Sequence, residues 1–253
     1  MLRNTVMTLL LAALLLGGCI VPVAMEPEPE VMLEPTAEPT ETPVWFPPTP
    51  TASPFPTPVV SPTADMRPGI GELLLEDDFS DAVFWPTSTS ADGSAQVSNG
   101  RLNLVLNATR SYLFSTRNGP VVGDFYAEIT ATTNFCSGDD EYGLLVRALD
   151  GDHFRFALSC DGRAKVDRFH NGSLSRQVGW VSSRAIPSIA PGTSRLGVWA
   201  GGGQMHFFVN DMYLFSVTDS LLFRGAVGVY VHTSTERDVS VSFSSLRLWQ
   251  VDR

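Results

Sequence analysis

Residues 138–162 read GDDEYGLLVRALDGDHFRFALSCDG. Six acidic residues, two arginines, a histidine and a cysteine fall within this stretch, which suits either a reactive centre or the turns and solvent face of a β-meander. The glycines favour the meander: Gly151, Gly162 and Gly172 recur about every eleven residues, the spacing of consecutive hairpins. A two-residue turn at Asp150-Gly151 would set Arg147 opposite Phe154 and mix charge with core. A three-residue loop with Gly151 left-handed instead pairs Val146 with Phe154 and Leu144 with Phe156, so this register is expected. The same loop at Cys160-Asp161-Gly162 pairs Phe156 with Val166 and Leu158 with Ala164, and sets Arg155 opposite Asp167 as a cross-strand charge pair. The expected inner face is Tyr142, Leu144, Val146, Phe154, Phe156, Leu158, Ala164 and Val166; the outer face carries Glu141, Arg147, His153, Arg155, Lys165 and Asp167. The third turn, His170-Asn171-Gly172, fits neither loop length, and its register stays open.

The same pattern extends outward. From Gly69 to Arg253 no helical periodicity is sustained; short alternating runs such as GDFYAEITATTNF, RLGVWA, QMHFFV and GAVGVYV are separated by turn residues. Asn99-Gly100 is the preferred pair for a type I′ hairpin, with Leu102, Leu104 and Leu106 on one face beyond it. Roughly thirteen strands are too many for one open sheet and suit two packed antiparallel sheets.

Upstream the composition changes twice. Residues 1–18, MLRNTVMTLLLAALLLGG, carry one positive charge at Arg3 and an apolar run from Val6 to Leu16, which suits a signal-peptide core and falls short of the ~20 residues that span a bilayer. An uncleaved anchor helix continuing to Met25 would be interrupted by Gly17, Gly18 and Pro22. LLGGC, ending at Cys19, resembles a bacterial lipobox, which implies diacylglyceryl modification of the Cys19 thiol and cleavage before it; the usual small residue where Gly17 stands is Ala or Ser. Stable anchoring takes two or more acyl chains, consistent with further acylation of the new amine. Residues 20–68 hold 14 of the 18 prolines together with six glutamates, and Pro, Thr, Glu and Ser cannot build a core. The expected organisation is a signal peptide at 1–18, a lipidated cysteine and disordered stalk at 19–68, and a β-domain at 69–253.

The formal charge is −10, and the β-domain carries 20 acids against 15 bases, which argues against nucleic acid as a partner. With Cys19 in the anchor, Cys136 and Cys160 remain as an even pair in an exported domain, and a disulfide is expected; two cysteines at this spacing are too few for zinc.

The sequence LEDDFSD near the domain start, then NGRL, GDFYAEI, YGLLVR, RLGVWAGGGQMHFFVN and a closing VSFSSLRLW resembles the concanavalin A-like lectin/glucanase superfamily, more narrowly bacterial domains related to 3-keto-disaccharide hydrolases. The resemblance covers about 185 residues and implies a jelly-roll sandwich of two antiparallel sheets, one often used for glycans. The superfamily's glucanases carry a Glu-x-Asp-x-x-Glu strand, and none of Glu72, Glu76, Glu128, Glu141 and Glu236 is so spaced. No catalytic residue is therefore assigned. Asp77, Asp78 and Asp252 stand where such sandwiches tie their termini with calcium, and Ser137–Glu141 is a second oxygen-rich loop; structural calcium competes here with solvated turn acids. For sugar recognition the candidates are Arg147, His153, Arg155 and Asp167 on the outer sheet face, with Trp180 and Trp199 as aromatic platforms, although Trp199 in RLGVWA also suits a core position. His206 and His232 lie in apolar strands and suit structural roles. The expected protein is a lipoprotein anchored by lipid to the bacterial membrane, displaying a non-catalytic sandwich at the cell surface for a ligand, foremost carbohydrate. The alternatives are a glycoside-processing enzyme of the 3-keto-disaccharide hydrolase type and a protein-interaction or envelope-structural module, whose partners would be envelope or extracellular proteins.

Overall fold

The structure is a computed structural model that describes residues 65–234 and 238–252; Cys19, the signal segment and residues 20–64 of the stalk lie outside the described residues. Among the described residues fifteen strands form two antiparallel sheets. The nine-stranded sheet contains β1 (Ile70–Asp77), β2 (Ser88–Thr89), β3 (Gly93–Ser98), β4 (Arg101–Leu106), β6 (Phe125–Phe135), β11 (Gly192–Gly201), β12 (Gln204–Val209), β13 (Met212–Thr218) and β15 (Val239–Val251). Its order is β13-β12-β11-β6-β15-β4-β3-β2, with β1 joining β15 beyond the point where β4 ends. The six-stranded sheet contains β5 (Tyr112–Thr116), β7 (Glu141–Leu149), β8 (Asp152–Ser159), β9 (Arg163–His170), β10 (Ser173–Ser182) and β14 (Ala226–His232), in the order β10-β9-β8-β7-β14-β5. These are the two packed antiparallel sheets that the alternation implies, arranged as the jelly-roll sandwich that the resemblance implies. Leu102, Leu104 and Phe243 from one sheet and Leu144, Phe154, Phe156 and Val229 from the other are fully buried in the core, where the Phe156 and Phe207 rings meet at 5.1 Å.

Local rules hold where the turn chemistry is strong. Asn99 and Gly100 both take positive φ (53° and 66°) between the paired residues Ser98 and Arg101, giving the type I′ hairpin. In the 138–162 stretch the expected pairs form: Val146 with Phe154, Leu144 with Phe156, Phe156 with Val166, and Leu158 with Ala164. The route to the first two differs from the expected three-residue loop. Asp150 and Gly151, at φ 51° and 93°, make the two-residue turn between Leu149 and Asp152, and a bulge between Val146 and Leu149 resets the register. Arg147 sits in that bulge at φ 52°. Gly225 lies against it, where a Cβ would come within 2.2 Å of the Arg147 carbonyl carbon, so a glycine is needed there. The open third turn resolves in the same way: Asn171-Gly172 is a two-residue turn, and a bulge between Arg176 and Val178 shifts the pairing of β10.

The bulge overturns the outward placement of Arg147. A bulged residue breaks the strict alternation of faces, and the side chain enters the end of the sandwich with 0% exposure. There its guanidinium donates to the carbonyls of Leu222 (2.8 Å), Gly202 (2.7 Å) and Gly123 (3.4 Å), all on segments flanking strands of the other sheet or on its turns.

Cys136 and Cys160 form the expected disulfide, with Cα atoms 5.6 Å apart. Cys136 follows β6 of the nine-stranded sheet and Cys160 follows β8 of the six-stranded one, so the bond joins the two sheets at one end. Residues 65–68, read from sequence as the end of the stalk, lie on the outer face of the nine-stranded sheet. Met66 packs against the cluster of Tyr126, Trp199, Phe208 and Val251, and Arg67 stacks over Tyr126 and Phe208 at 5.7 and 5.2 Å.

Candidate functional site

The outer face of the six-stranded sheet is not a plain solvated surface. On β7, β8 and β9 the alternation sends Glu141, Arg155, Lys165 and Asp167 outward, yet Glu141, Lys165 and Asp167 are buried. Neighbouring side chains cover them, and burial without partners would be costly. Lys165 Nζ answers both carboxylates, at 2.7 Å from Glu141 Oε1 and 3.3 Å from Asp167 Oδ2. Tyr230 on β14 donates to Glu141 Oε2 at 3.2 Å, and Arg176 on β10 pairs with Asp167 Oδ1 at 3.2 Å. His232 Nδ1 stands 3.7 Å from Glu141 Oε1. The Trp180 ring closes one side, 4.5 Å from Lys165 Nζ and 5.0 Å from the Arg163 guanidinium.

Beside this network β14, inserted between β7 and β5, brings an aromatic group to the same face. The Arg155 guanidinium lies over the rings of Tyr112 (4.8 Å) and Tyr230 (5.1 Å), and Tyr112 stacks on His232 at 4.1 Å. A cavity of ≈ 430 Å³ is lined by Tyr112, Phe114, Leu145, Gly151, His153, Arg155, Phe169 and Tyr230, with Phe114 64% exposed at its rim. His153 stacks on Phe169, and its Nδ1 lies 3.1 Å from the Gly151 carbonyl; with Nδ1 donating there, Nε2 is left as an acceptor. Burial pushes His153 and His232 below the ordinary imidazole range, so both are neutral at pH 7. Burial, reinforced by the Glu141 carboxylate, holds Tyr230 well above the ordinary phenol range, so it stays a donor.

The residues singled out from sequence separate into three places. His153, Arg155, Asp167 and Trp180 share this face. Arg147 is inside the sandwich. Trp199 is on the opposite surface, stacked on His206, with its indole nitrogen donating to the Pro68 carbonyl at 2.8 Å; it is a platform for the chain's own residues 65–68. Arg155 and Asp167 are opposite in register, as expected, but the expected ion pair is replaced: Asp167 pairs with Lys165 and Arg176, and Arg155 with the two rings.

The proposed calcium ligands do not converge. Asp77 is buried and accepts from Arg117 Nε (2.7 Å), Trp85 Nε1 (3.1 Å) and the Phe79 amide (2.8 Å). Asp78 caps the Ser80 amide at the surface. Asp252 follows Val251, which pairs with Ile70 at the other end of β1, about 20 Å from Asp77 at ~3.3 Å per residue. In the Ser137–Glu141 loop, Asp140 binds Ser137 and Ser234, Asp139 pairs with Arg163, and Glu141 with Lys165. Among the described residues no group of three or more His, Cys, Asp or Glu side chains is placed to hold a metal. Tyr112, Phe114 and Tyr230 were missed from sequence; the signal for Tyr230 was the alternation in AVGVYVH, which isolates it from Val227, Val229 and Val231.

These features define a β-sandwich of two antiparallel sheets with a polar and aromatic face on the smaller one. No family model matches the chain, and no curated protein does. Solved structures do. The carbohydrate-binding module CBM66 from Bacillus subtilis aligns with a TM-score of 0.54 at 16% identity, over 66% of this chain and 95% of that one. A Bacillus subtilis protein of unknown function with a galectin-like fold aligns with a TM-score of 0.56 at 12% identity, over 73% and 99%. The Bacillus licheniformis β-glucanase aligns with a TM-score of 0.54 at 10% identity, over 72% and 99%. At such identities the likeness establishes the fold.

Proposed function

We propose that this chain is a surface lipoprotein, lipidated at Cys19 and joined by the Pro-rich stalk to a sandwich that binds carbohydrate on the outer face of the six-stranded sheet. The observation that carries the reading is that face itself: exposed aromatic rings at Tyr112 and Phe114 bordering polar groups held rigid by one another. Sugars offer apolar C–H faces to rings and hydroxyls to fixed donors and acceptors, and such a border suits both. The carbohydrate-binding module and the glucanase among the neighbours of this fold support the same reading. Residues 65–68 lie on the opposite face of the sandwich from this site.

A glycan array probed with the full chain in detergent tests the reading: binding is expected, and it should be lost in Tyr112→Ala/Phe114→Ala. Absence of binding, with and without calcium, overturns it. Labelled fatty acid should enter the wild type and not Cys19→Ala; equal labelling refutes the anchor.

One observation favours a second reading, a glycoside-processing enzyme of the 3-keto-disaccharide hydrolase type. Glu141 and Asp167 both touch Lys165 Nζ, so their oxygens are at most about 6 Å apart, near the ~5 Å of a retaining pair. The lysine weighs against it, since its ammonium fills the space where the reacting glycosidic bond would lie. Turnover of aryl glycosides or 3-keto disaccharides that is lost in Glu141→Gln would establish this second reading.

A further inference from the structure

The glycan reading extends to the class of sugar, and the inference below rests on it. Each neighbouring cation of the face is answered by carboxylates: Lys165 by Glu141 and Asp167, Arg176 by Asp167, and Arg163 by Asp139 and Asp161. Arg155 is different. Among the described residues it has no carboxylate within ion-pair distance and no hydrogen-bond acceptor; the rings of Tyr112 and Tyr230 lie against the guanidinium instead. A guanidinium carries five donors in a planar fork. The guanidinium lies over two ring faces, which accept no conventional hydrogen bond from its N–H groups, in a cavity of ≈ 430 Å³ whose other walls include Phe114 and Phe169. A cation so placed is half-desolvated, and an anion is the partner that satisfies both its charge and its donors. It is also out of keeping with its surroundings, because the β-domain as a whole is acidic.

We infer that the face recognises an anionic sugar, one whose carboxylate or sulfate ester presents two oxygens to the Arg155 fork. The ring of that sugar packs its C–H face on Phe114 and Tyr112, and a hydroxyl donates to His153 Nε2. The two sources of the anion share this chemistry and differ in the test.

The full chain in detergent is titrated calorimetrically with three oligosaccharides of matched length: an oligouronate, its carboxyl-reduced neutral counterpart, and a sulfated galactan fragment. At least one acidic ligand should bind about 10- to 100-fold more tightly than the neutral one, the range expected for a charge-assisted bidentate contact. Binding of the uronate alone or of the sulfated sugar alone supports the inference and identifies the anion. Arg155→Gln should abolish the preference while neutral binding persists, and Arg155→Lys should keep only part of it, because an ammonium lacks the fork. Arg247→Gln, which removes one positive charge from the nine-stranded sheet, should change nothing; an equal loss there would reduce the effect to net charge and overturn the inference. Equal affinity of wild type for acidic and neutral ligands overturns it too and leaves the glycan reading standing, whereas no binding of any of the three overturns both. The wild-type comparison needs no variant to fold.

Discussion

Replacing Arg147 with methionine tests the least expected feature of the fold. The substitution keeps an unbranched apolar stem and removes the guanidinium that joins Leu222, Gly202 and Gly123 at one end of the sandwich. Two of these bonds are short, at 2.8 and 2.7 Å, and the third is long at 3.4 Å. A buried carbonyl stripped of its donor costs about 1–3 kcal/mol. Two full losses and one partial loss therefore come to roughly 3–5 kcal/mol, the range for breaking a buried charged contact. Relief from burying the guanidinium offsets part of this, so about 3 kcal/mol is the expected net. With a urea m-value of about 2 kcal/mol/M, the midpoint should fall by roughly 1.5 M with m unchanged. Arg147→Lys should fall between the two, since one ammonium on a shorter reach cannot serve three carbonyls. A midpoint shift below about 0.5 M for Arg147→Met would mean that water already reaches these carbonyls, and the account of the bulge as an inward-turning device would fail.

The inter-sheet disulfide spans 24 residues, and loop closure gives it about 3.5 kcal/mol; Cys136→Ala/Cys160→Ala should lose roughly that much in chemical denaturation, and a loss under about 1 kcal/mol would refute the entropic account. Lys165→Met leaves Glu141 and Asp167 buried without their shared ammonium, and should cost about 3–5 kcal/mol; a neutral effect would show that the cluster is hydrated. Burial lowers His153 and His232, so between the unfolded imidazole value and their folded values the unfolded chain holds more protons. Stability is then full above about pH 6.5 and falls as pH drops below it. Melting temperature should decline from pH 7.5 to 5.5 and decline less in His153→Gln/His232→Gln; a rise on acidification would contradict the sign.

The strand registers of the 138–162 meander were legible because hydrophobic alternation constrains pairing on both sides of each turn. Phe154 and Phe156 can share an inner face only with Val146 and Leu144 opposite them, whichever turn joins the strands. The turn itself was not legible, since a two-residue turn with a bulge and a three-residue loop give the same pairs deeper in the hairpin. They differ only at the bulged residue, and that residue was Arg147, the first candidate on the outer face. Gly225, far downstream, makes room for the bulge, and no local pattern connects it to Arg147. The candidate site was half legible for a similar reason. His153, Arg155 and Asp167 come from consecutive hairpins, where order in the chain is order in the sheet. Tyr112 and Tyr230 reach the same face through β5 and β14, whose placement beside β7 is a long-range pairing that single-strand patterns do not encode.

Three cations of the six-stranded sheet show how one kind of residue is put to different uses. Arg147 is answered by carbonyls, which accept from both terminal nitrogens and fix the end of the sandwich. Lys165 is answered by two carboxylates, which absorb its charge and make the middle of the outer face rigid. Arg155 is answered by aromatic faces, which hold the guanidinium in place without using its donors. The first two arrangements tie protein groups to one another and serve stability. The third orients a charged fork at low conformational cost and leaves its hydrogen-bonding capacity to a molecule from outside. Arg155 is therefore the residue at which the structural role of this face ends and a binding role begins. Its replacement by glutamine should alter ligand preference far more than melting temperature, the reverse of what Arg147→Met should do.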